Sequence, residues 1–184
     1  MTYFIHQSKR LEYLLRHSSL PDTQGWMLIA DLIARHGFTH ELLKEIIYND
    51  EFGRYEFSGD RSAVKARYGH TNQVHIKLPP AVPPQKLYHG TSEKAVDKIL
   101  KGGIKRMQRQ YVHLSETKEK AIKVGQRHGK PVVLTIDTEA MYRDGYTFHF
   151  IIKDVWLTNH IDPRYITIER TGDAATEDGP DTAE

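Results

Sequence analysis

The chain of 184 residues contains no cysteine, which excludes disulfide bridges, thiolate metal ligands and cysteine nucleophiles. It also has no apolar run near the roughly 18 residues of a membrane-spanning helix. Its first residues lack the basic-then-apolar order of a signal peptide. We therefore expect a cytoplasmic protein with no membrane partner. The apolar fraction of 39% and the charged fraction of 27% are typical of a globular protein.

Several well-known chemical motifs are missing as well. There is no Gly-x-Gly-x-x-Gly after a strand and no phosphate-binding P-loop, so a nucleotide would have to bind by other means. A nucleophile elbow is also absent. The 11 histidines are scattered without the spacing of metal ligands, so we expect no metal.

The positive charge of the chain is unevenly distributed. The formal net charge is +2, yet residues 171–184 hold five acidic residues and no lysine or arginine, so the preceding residues carry +7. This excess fits a polyanionic partner such as nucleic acid, and it fits an ordinary solvated surface equally well. The acidic tail lacks apolar periodicity, so we expect residues 171–184 to be disordered.

Four prolines within six residues mark the clearest boundary in the chain, because such a segment forms neither a helix nor a central strand. It predicts a stiff linker over residues 79–85. The linker separates a lobe of residues 1–78 from a lobe of residues 86–170. We expect the protein to be a monomer, although nothing in the sequence reports on its oligomeric state.

The first lobe shows three helical patterns followed by short alternating runs. The first helix is capped by Ser8, the second covers WMLIADLIARHGF with Gly37 as its stop, and the third is capped by Thr39. Strands are predicted in GRYEFSG, SAVKARYG and NQVHIKL. This order is the plan of a winged helix-turn-helix, which contacts nucleic acids in many proteins and is a general interaction module in others.

The second lobe alternates strands and helices. Strands are predicted at 86–89, 111–114 and 131–136, helices at 92–100 and 117–127, and a helical turn at 139–143. Strands in YTFHFI, DVWLTN and ITIE close the lobe. The fold class is therefore α+β, with a mixed sheet in this lobe.

The first lobe contains three groups of candidate basic residues. Arg16 and His17 end the first helix, where cations also serve as ordinary helix caps. Arg54 begins a wing strand, where an exposed cross-strand charge is the simpler explanation. The motif KARYGHT combines Lys65, Arg67 and His70 around an aromatic residue, which suits phosphate contact but is also common surface decoration.

In the second lobe the candidates surround strand ends. Tyr111, His113 and Ser115 share one face of a strand, and a polar face of that kind needs hydrogen-bond partners. The junction Tyr88-His89-Gly90-Thr91 is either a turn with a helix cap from Thr91 or Ser92, or a ligand site. In the second case the helix N-terminus offers free amides and Gly90 allows close approach of a ligand.

Seven motifs occur in one order along the chain, covering residues 8–166: SKRLEYLLRH, GRYEFS, KARYGHT, LYHGT, YVHLS, VGQRHGKPVVL and VWLT. Together they closely resemble the RNA 2′-phosphotransferase family, the group of KptA and the tRNA-splicing phosphotransferases. The resemblance implies a winged-helix lobe followed by an NAD-binding lobe like that of ADP-ribosyltransferases. It also implies that NAD is consumed as co-substrate to remove an internal 2′-phosphate from RNA.

The implied reaction has two steps. The RNA 2′-phosphate attacks the anomeric carbon of the nicotinamide-side ribose and expels nicotinamide, which leaves an ADP-ribosylated phosphate. The neighbouring ribose hydroxyl then attacks phosphorus, giving RNA with a free 2′-hydroxyl and ADP-ribose 1″,2″-cyclic phosphate. Arginine forks suit both steps, because they hold phosphate in bidentate geometry and keep their charge.

The resemblance also assigns residues. The catalytic set is Arg16, His17, Arg54 and Arg109, in which the arginines grip the phosphate and His17 donates a hydrogen bond or a proton. The NAD pocket is expected to be lined by His89, Gly90, Thr91, His113, Ser115 and Arg127. RNA contact falls to Lys65, Arg67 and His70. The three-strand signature of the transferase fold maps to His89, His113 and Val155.

Two departures from the family pattern affect contacts rather than chemistry. Lys65 stands where the family often has arginine, which weakens bidentate contact with the RNA backbone, and Ser19 replaces a proline in a loop. Two other functions stay open. One is an ADP-ribosyltransferase that caps nucleic-acid phosphates and stops after the first step. The other is a winged-helix regulator that only senses NAD, which the presence of all four catalytic residues disfavours.

Overall fold

The computed structural model describes residues 2–168, so the predicted disordered tail lies outside the described residues. The first half of the chain contains three helices and three short strands. In chain order these are α1 (Thr2–Arg16), β1 (Trp26–Leu28), α2 (Ile29–His36), α3 (His40–Tyr48), β2 (Tyr55–Phe57) and β3 (Ala63–Ala66).

The second half contains the remaining strands and three more helices. They are β4 (Lys86–Ser92), α4 (Glu93–Gly102), β5 (Ile104–Lys105), β6 (Val112–Ser115), α5 (Lys118–Gly125), β7 (Pro131–Asp137), α6 (Thr138–Arg143), β8 (Phe148–Phe150), β9 (Val155–Thr158), β10 (His160–Ile161) and β11 (Ile166–Ile168). Short 3-10 turns follow α5 and β10. No helix among residues 2–168 has the length and apolar character needed to cross a membrane.

The small sheet of the first half has the order β1-β3-β2, which corrects two predictions. The second helix begins three residues later than predicted, because Trp26, Met27 and Leu28 form a strand that pairs with β3. Residues 72–78 were predicted as a strand but form none. In the small sheet β1 takes the place of this predicted third strand. Strand β1 itself was not predicted, because its run of three apolar residues has no periodicity that separates a strand from a helix.

The helix predictions of the first half are otherwise confirmed, with one change of boundary. Helix α1 begins at Thr2 rather than at a cap on Ser8, and it ends at Arg16. Helix α2 ends at Gly37 in the left-handed conformation that glycine adopts most easily. Thr39 caps α3 by accepting a hydrogen bond from the amide of Leu42.

The large sheet has the order β11-β7-β4-β6-β9-β8, and every strand pair in it is antiparallel. The expected mixed sheet is therefore wrong, because neighbouring strands in the sheet run in opposite directions. Strands β5 and β10 form a separate antiparallel pair that the sequence did not predict, since two residues are too few to show an alternating pattern.

Each half has its own hydrophobic cluster, and a third cluster joins them. The first is centred on residues of α1, α2 and α3, and the second lies on the large sheet. The joining cluster consists of Tyr68, Val155 and Leu157, packed against partly buried apolar side chains from both halves. The proline-rich segment is tied to the large sheet, since the amide of Ala81 donates to the carbonyl of Phe148 at 2.8 Å. The two sheets are thus held together beside Tyr68.

Helix α5 lies against the central strand β4 with backbone touching backbone. A Cβ on Gly90 would overlap the carbonyl oxygen of Ala121, and a Cβ on Gly125 would come 2.7 Å from the carbonyl oxygen of Thr91. Both glycines are buried, so the space that a side chain would need is already filled by the opposite element. The absence of a side chain at Gly90 is therefore explained by helix packing.

This packing predicts that Gly90→Ala is strongly destabilising. Because the added methyl meets rigid backbone, we expect the free energy of unfolding to fall by at least about 2 kcal/mol. Urea unfolding followed by circular dichroism measures the change. Gly59→Ala is the matched control, since a Cβ there meets nothing within 4 Å, and it should change stability by less than about 0.5 kcal/mol. Equal midpoints for the two variants would contradict the described helix position.

Candidate active site

Helix α1 carries Arg16 and His17 to the boundary between the two halves. The helix packs through Leu11 and Leu15, which are fully buried, and this places Arg16 at 3% exposure under the ring of Tyr68. The guanidinium carbon lies 5.0 Å from the ring centroid. The carbonyl of Arg16 accepts hydrogen bonds from the amides of Thr71 and Asn72, so the side chain of Arg16 is not needed as a helix cap.

The carboxylate of Glu12 joins two arginines. Its Oε1 accepts a hydrogen bond from Nη1 of Arg16 at 2.5 Å, and its Oε2 accepts one from Nη1 of Arg54 at 2.8 Å. On its other side Nε of Arg54 donates to Asp50 at 2.7 Å, and the backbone amide of Arg54 donates to the same carboxylate. Two carboxylates thus fix two guanidinium groups that come from distant parts of the chain.

Donor groups of Arg16 remain available in this arrangement. Its Nε and Nη2 are buried and have no hydrogen-bond partner among the described residues. A buried charged donor without an acceptor is costly, and an anionic ligand would remove that cost. Gly69 contributes the space beside the guanidinium, because a Cβ there would come 3.0 Å from the guanidinium carbon.

The charge of this cluster shifts several pKa values. Burial opposes the charged form of Arg54, but the Tyr55 hydroxyl and the two carboxylates outweigh it and raise the pKa of Arg54. Arg109 is exposed overall, yet its pKa is lowered by burial of the guanidinium and by the positive charge of Arg16. Burial raises the pKa of the Tyr68 phenol to about 12. The positive charge of Arg16 thus opposes the charged form of Arg109.

His17 lies at the exposed edge of the cluster. Its Nδ1 is 2.9 Å from the hydroxyl of Thr71, and its ring centroid is 6.1 Å from that of Tyr13. Burial, followed by the charge of Arg16, lowers the pKa of His17 below its usual value. The neutral ring is therefore favoured at physiological pH, and a neutral imidazole donates one hydrogen bond and accepts another.

The loop between α3 and β2 connects the cluster to the second half. The carbonyl of Asp50 accepts a hydrogen bond from Nζ of Lys153 at 3.0 Å. The ring centroid of Phe52 lies 4.9 Å from the guanidinium carbon of Arg127 and 6.0 Å from that of Arg54. Arg127 therefore approaches the same side of the molecule as Arg54, and Phe52 stands between the two cations.

His113 lies beside the cluster, since its ring centroid is 5.7 Å from that of Tyr68, and His89 stands on the neighbouring strand. The Nδ1 of His89 lies 3.0 Å from the carbonyl oxygen of His113. Because a carbonyl only accepts, this contact fixes the proton on Nδ1 and leaves Nε2 as an acceptor. The Nε2 of His113 is buried without a partner. Burial, with the charges of Arg109 and Arg16, lowers the pKa of His113 well below its usual value.

The other predicted pocket residues lie in the same strands but are more enclosed. Thr91 and Ser115 are buried, and Gly90 packs against α5 rather than against open space. Ser92 stands at the N-cap of α4 without a side-chain hydrogen bond, so it does not cap the helix as predicted. The first amide of α4 donates to the carbonyl of Lys130 at 3.0 Å. This junction therefore offers fewer open donors than the sequence predicted.

The residues predicted to contact RNA are placed differently from one another. Lys65 and Arg67 both pair with the carboxylate of Glu56, at 3.0 and 2.6 Å, and Lys65 also lies over the ring of Trp26. His70 is only 2% exposed, and burial lowers its pKa to about 4. The first two side chains remain partly open to solvent, whereas His70 is enclosed behind Arg16.

The sequence analysis did not identify Glu12 and Asp50 as functional residues. A signal was present for Glu12, which stands four residues before Arg16, the spacing of an ion pair along a helix. Asp50 stands four residues before Arg54 but in a loop, where this spacing predicts no contact. Spacing alone did not reveal that Glu12 also reaches Arg54, which is 42 residues away. Tyr68, which covers Arg16, was noted only as the aromatic residue between Lys65 and His70.

The arrangement as a whole is suited to holding an anion. Arg16, Arg54 and a histidine whose lowered pKa favours the neutral ring lie where the two halves meet, and two donors of Arg16 are unused. Among residues 2–168 no three histidine, aspartate or glutamate side chains are grouped as a metal ion would require. Guanidinium groups and a neutral imidazole supply charge stabilisation, hydrogen bonding and orientation.

Sequence comparisons agree with this picture. Residues 4–160 match the profile of a family described as RNA 2′-phosphotransferase, Tpt1 / KptA family. A relative from Flavobacterium johnsoniae is 39% identical over 169 residues, which cover 86% of this chain and 93% of the relative. One from Pectobacterium atrosepticum is 42% identical, covering 86% of this chain and 94% of the relative.

A third relative, from Agrobacterium fabrum, is 36% identical over 180 residues, or 92% of this chain and 97% of the relative. All three relatives are named probable RNA 2′-phosphotransferases. The matched region contains all four residues of the candidate catalytic set. With the profile covering most of its length, the chain belongs to the RNA 2′-phosphotransferase family.

Proposed function

We propose that this chain is an NAD-dependent RNA 2′-phosphotransferase that removes an internal 2′-monophosphate from RNA. The observation that carries the proposal is the pair of arginines joined by Glu12, in which Arg16 keeps two buried donors without partners. A phosphate is the anion that arginine forks hold with the most specific geometry. Family membership supplies the RNA 2′-phosphate as that anion.

The order of elements supports the two-lobe interpretation. Helix, strand, two helices and two strands make up the first half, as in a winged helix. In the second half His89, His113 and Val155 stand on β4, β6 and β9, which are neighbours in the large sheet. The family resemblance assigns the three-strand signature of the ADP-ribosyltransferase fold to these positions, and their adjacency supports that assignment. We propose that the first lobe holds RNA and the second holds NAD.

The residues on the large sheet fit a dinucleotide. His113 has a buried Nε2 without a partner, and His89 has an Nε2 left as an acceptor by the contact with the His113 carbonyl. These atoms would meet polar groups of NAD, and Arg127 would meet its pyrophosphate. NAD supplies the electrophilic anomeric carbon of its nicotinamide-side ribose. The apolar Val155 at the third position suits a phosphate nucleophile, which needs no carboxylate to activate it.

In the first proposed step Arg16, Arg54 and Arg109 hold the RNA 2′-phosphate in line with that carbon. A phosphate oxygen forms the new bond to carbon as the bond to nicotinamide breaks. In the second step the adjacent 2″-hydroxyl of the transferred ribose forms a bond to phosphorus, and the bond from phosphorus to the RNA 2′-oxygen breaks. The RNA oxygen leaves with a proton, and the other product is ADP-ribose 1″,2″-cyclic phosphate.

The charges of the site are matched to these steps. Negative charge on the phosphate increases in the second step, and three guanidinium groups, two of them held by carboxylates, stabilise it. Arg109 lies in the loop that leads into β6, the strand that carries His113, so we propose that it acts between the phosphate and NAD. His17 carries a lowered pKa, so its proposed role is hydrogen bonding to a phosphate oxygen more than transfer of a proton.

The proposal is tested by incubating the protein with NAD and an oligoribonucleotide carrying one internal 2′-phosphate. We expect three products, separable by chromatography: nicotinamide, RNA with a 2′-hydroxyl, and ADP-ribose 1″,2″-cyclic phosphate. An oligonucleotide without the phosphate is the control and should release no nicotinamide. Accumulation of ADP-ribosylated RNA alone would instead show a capping ADP-ribosyltransferase. If neither oligonucleotide releases nicotinamide, both the phosphotransferase and the ADP-ribosyltransferase hypotheses are contradicted.

Replacing Arg109 by alanine should slow the second step more than it weakens NAD binding. We expect kcat to fall by roughly a hundredfold or more, since removal of one transition-state donor has that effect in other enzymes. The ADP-ribosylated RNA should then accumulate, while the Kd for NAD changes little. Rapid-quench analysis with labelled RNA, together with titration calorimetry for NAD, makes the distinction. Wild-type turnover in this variant would remove Arg109 from the mechanism.

Replacing Glu12 by glutamine should lower kcat without raising KM for RNA. The side chain keeps its shape but loses the charge that holds Arg16 and Arg54 together, so the phosphate is bound but poorly oriented. We expect kcat to fall by roughly 10- to 100-fold. KM for RNA should stay level or decrease, because the net positive charge of the site increases.

Asp31→Asn is the matched control for this prediction. Asp31 forms the same i,i+4 pair with Arg35, but on the exposed surface of α2. Exposed pairs of this kind contribute little, so kcat and KM should both stay near their wild-type values. A rise of KM with unchanged kcat in the Glu12 variant would mean that Glu12 acts on binding and does not orient the arginines.

A further inference from the structure

We propose that the exposed face of α1 is a binding track for single-stranded RNA that leads into the active site. The track, called here the α1 stripe, consists of Tyr3, His6, Arg10, Tyr13 and His17. The proposal rests on the proposed function for the identity of the reacting nucleotide. For recognition of the flanking strand it rests on the geometry of the α1 stripe. It assigns RNA contact to residues outside the basic cluster of β3.

The five residues of the α1 stripe lie on one line along the helix. They are separated by three, four, three and four positions, and the amide of His17 still donates to the carbonyl of Tyr13 at 2.9 Å, so the helical spacing includes His17. At about 100° per residue, their side chains fall within an arc of about 80°. The line extends for about 21 Å along the helix axis. It ends at a residue of the candidate active site.

Two aromatic side chains on this line are open to solvent. Tyr3 is 65% exposed and Tyr13 is 59% exposed, whereas Leu11, Leu14 and Leu15 of the same helix are buried in the first core. Exposed aromatic rings at regular spacing provide flat surfaces on which bases stack. In proteins that bind single strands, each stacked base contributes to the binding free energy. The α1 stripe therefore has surfaces suited to unpaired bases.

The charge of the helix favours a polyanion on this face. Glu12 is the only acidic residue in α1, and it lies about 140° around the helix from His17, where its carboxylate is bonded to two arginines. The α1 stripe itself holds Arg10, whose guanidinium carbon lies 5.8 Å from the ring centroid of Phe38. An anchored cation between two aromatic rings matches the alternation of phosphates and bases in a single strand.

The inner end of the α1 stripe connects to the reacting phosphate. The ring of Tyr13 lies 6.1 Å from that of His17, and His17 is positioned by Thr71 beside the arginine cluster. A base stacked on Tyr13 would belong to a nucleotide close to the one that carries the 2′-phosphate. Duplex RNA hides its base faces, so the α1 stripe favours an unpaired strand over a duplex.

Fluorescence anisotropy with a labelled single-stranded oligoribonucleotide that has no 2′-phosphate tests the proposal in the absence of NAD. Tyr13→Ala should raise Kd roughly tenfold, the loss expected for one stacked base. Tyr3→Ala should raise it as well, and Tyr13→Phe should retain wild-type Kd because the ring persists. Tyr142→Ala is the matched control, since this tyrosine is 46% exposed on α6, away from the α1 stripe.

Turnover provides a second readout on two substrates. Tyr13→Ala should raise KM for a 2′-phosphorylated RNA with long unpaired flanks, and should leave KM unchanged for a minimal substrate with one nucleotide on each side. The value of kcat should be the same as in the wild type for both. A wild type that turns over neither substrate, while Tyr3→Ala and Tyr13→Ala still weaken binding of single-stranded RNA, would contradict the proposed function but support RNA binding by the α1 stripe.

The proposal would be overturned if Tyr13→Ala and Tyr142→Ala bound the single strand with equal Kd. It would also be overturned if duplex RNA bound as tightly as the single strand and both were unaffected by the tyrosine substitutions. Sedimentation velocity tests whether the α1 stripe binds a second copy of the chain instead of RNA. A wild-type dimer that dissociates in Tyr13→Ala would show that the α1 stripe is a surface for self-association instead.

Discussion

The bridge that Glu12 makes between Arg16 and Arg54 is the interaction on which the site depends. Two guanidinium groups held near each other repel, and Arg16 is almost completely removed from water. A carboxylate that gives one oxygen to each cation offsets this repulsion and fixes the distance between them. Asp50 then holds Arg54 from the other side. The site is thus preorganised by acidic residues that have no direct part in the proposed chemistry.

The same bridge makes the two halves of the molecule interdependent. Arg54 follows a loop whose Asp50 carbonyl and Phe52 ring contact Lys153 and Arg127 in the second half. Arg16 lies under Tyr68, which belongs to the cluster of apolar residues joining the halves. The hydroxyl of Tyr68 donates a hydrogen bond to the carbonyl of Phe52, in that same loop, at 2.8 Å. A shift of one half against the other would therefore disturb the arginines directly.

The sequence was sufficient for features that depend on local pattern. The stop at Gly37, the cap at Thr39 and the end of α1 at Arg16 were all predicted correctly, because each follows from a few neighbouring residues. The strand at Trp26–Leu28 was missed since three apolar residues next to a helix have no distinct period. Strand direction in the large sheet also depends on long-range pairing, which local pattern does not encode.

The site shows the same division between local and long-range information. The family motifs pointed to Arg16, Arg54 and Arg109, whereas the packing of Gly90 against α5 was not predicted. The contact between Glu12 and Arg54 spans 42 residues and was invisible until the chain was folded. Residues that support a site through another side chain carry no chemical signature of their own, so sequence reasoning passes over them.

The backbone contact between β4 and α5 has a consequence for the motions of the protein. Because Gly90 and Gly125 let strand and helix pack backbone against backbone, we expect α5 to open together with the central strand and not alone. Opening a central strand requires nearly the whole free energy of unfolding. Amide hydrogens of α5 should then exchange with solvent about as slowly as those of β4, although the helix lies on the outside of the sheet.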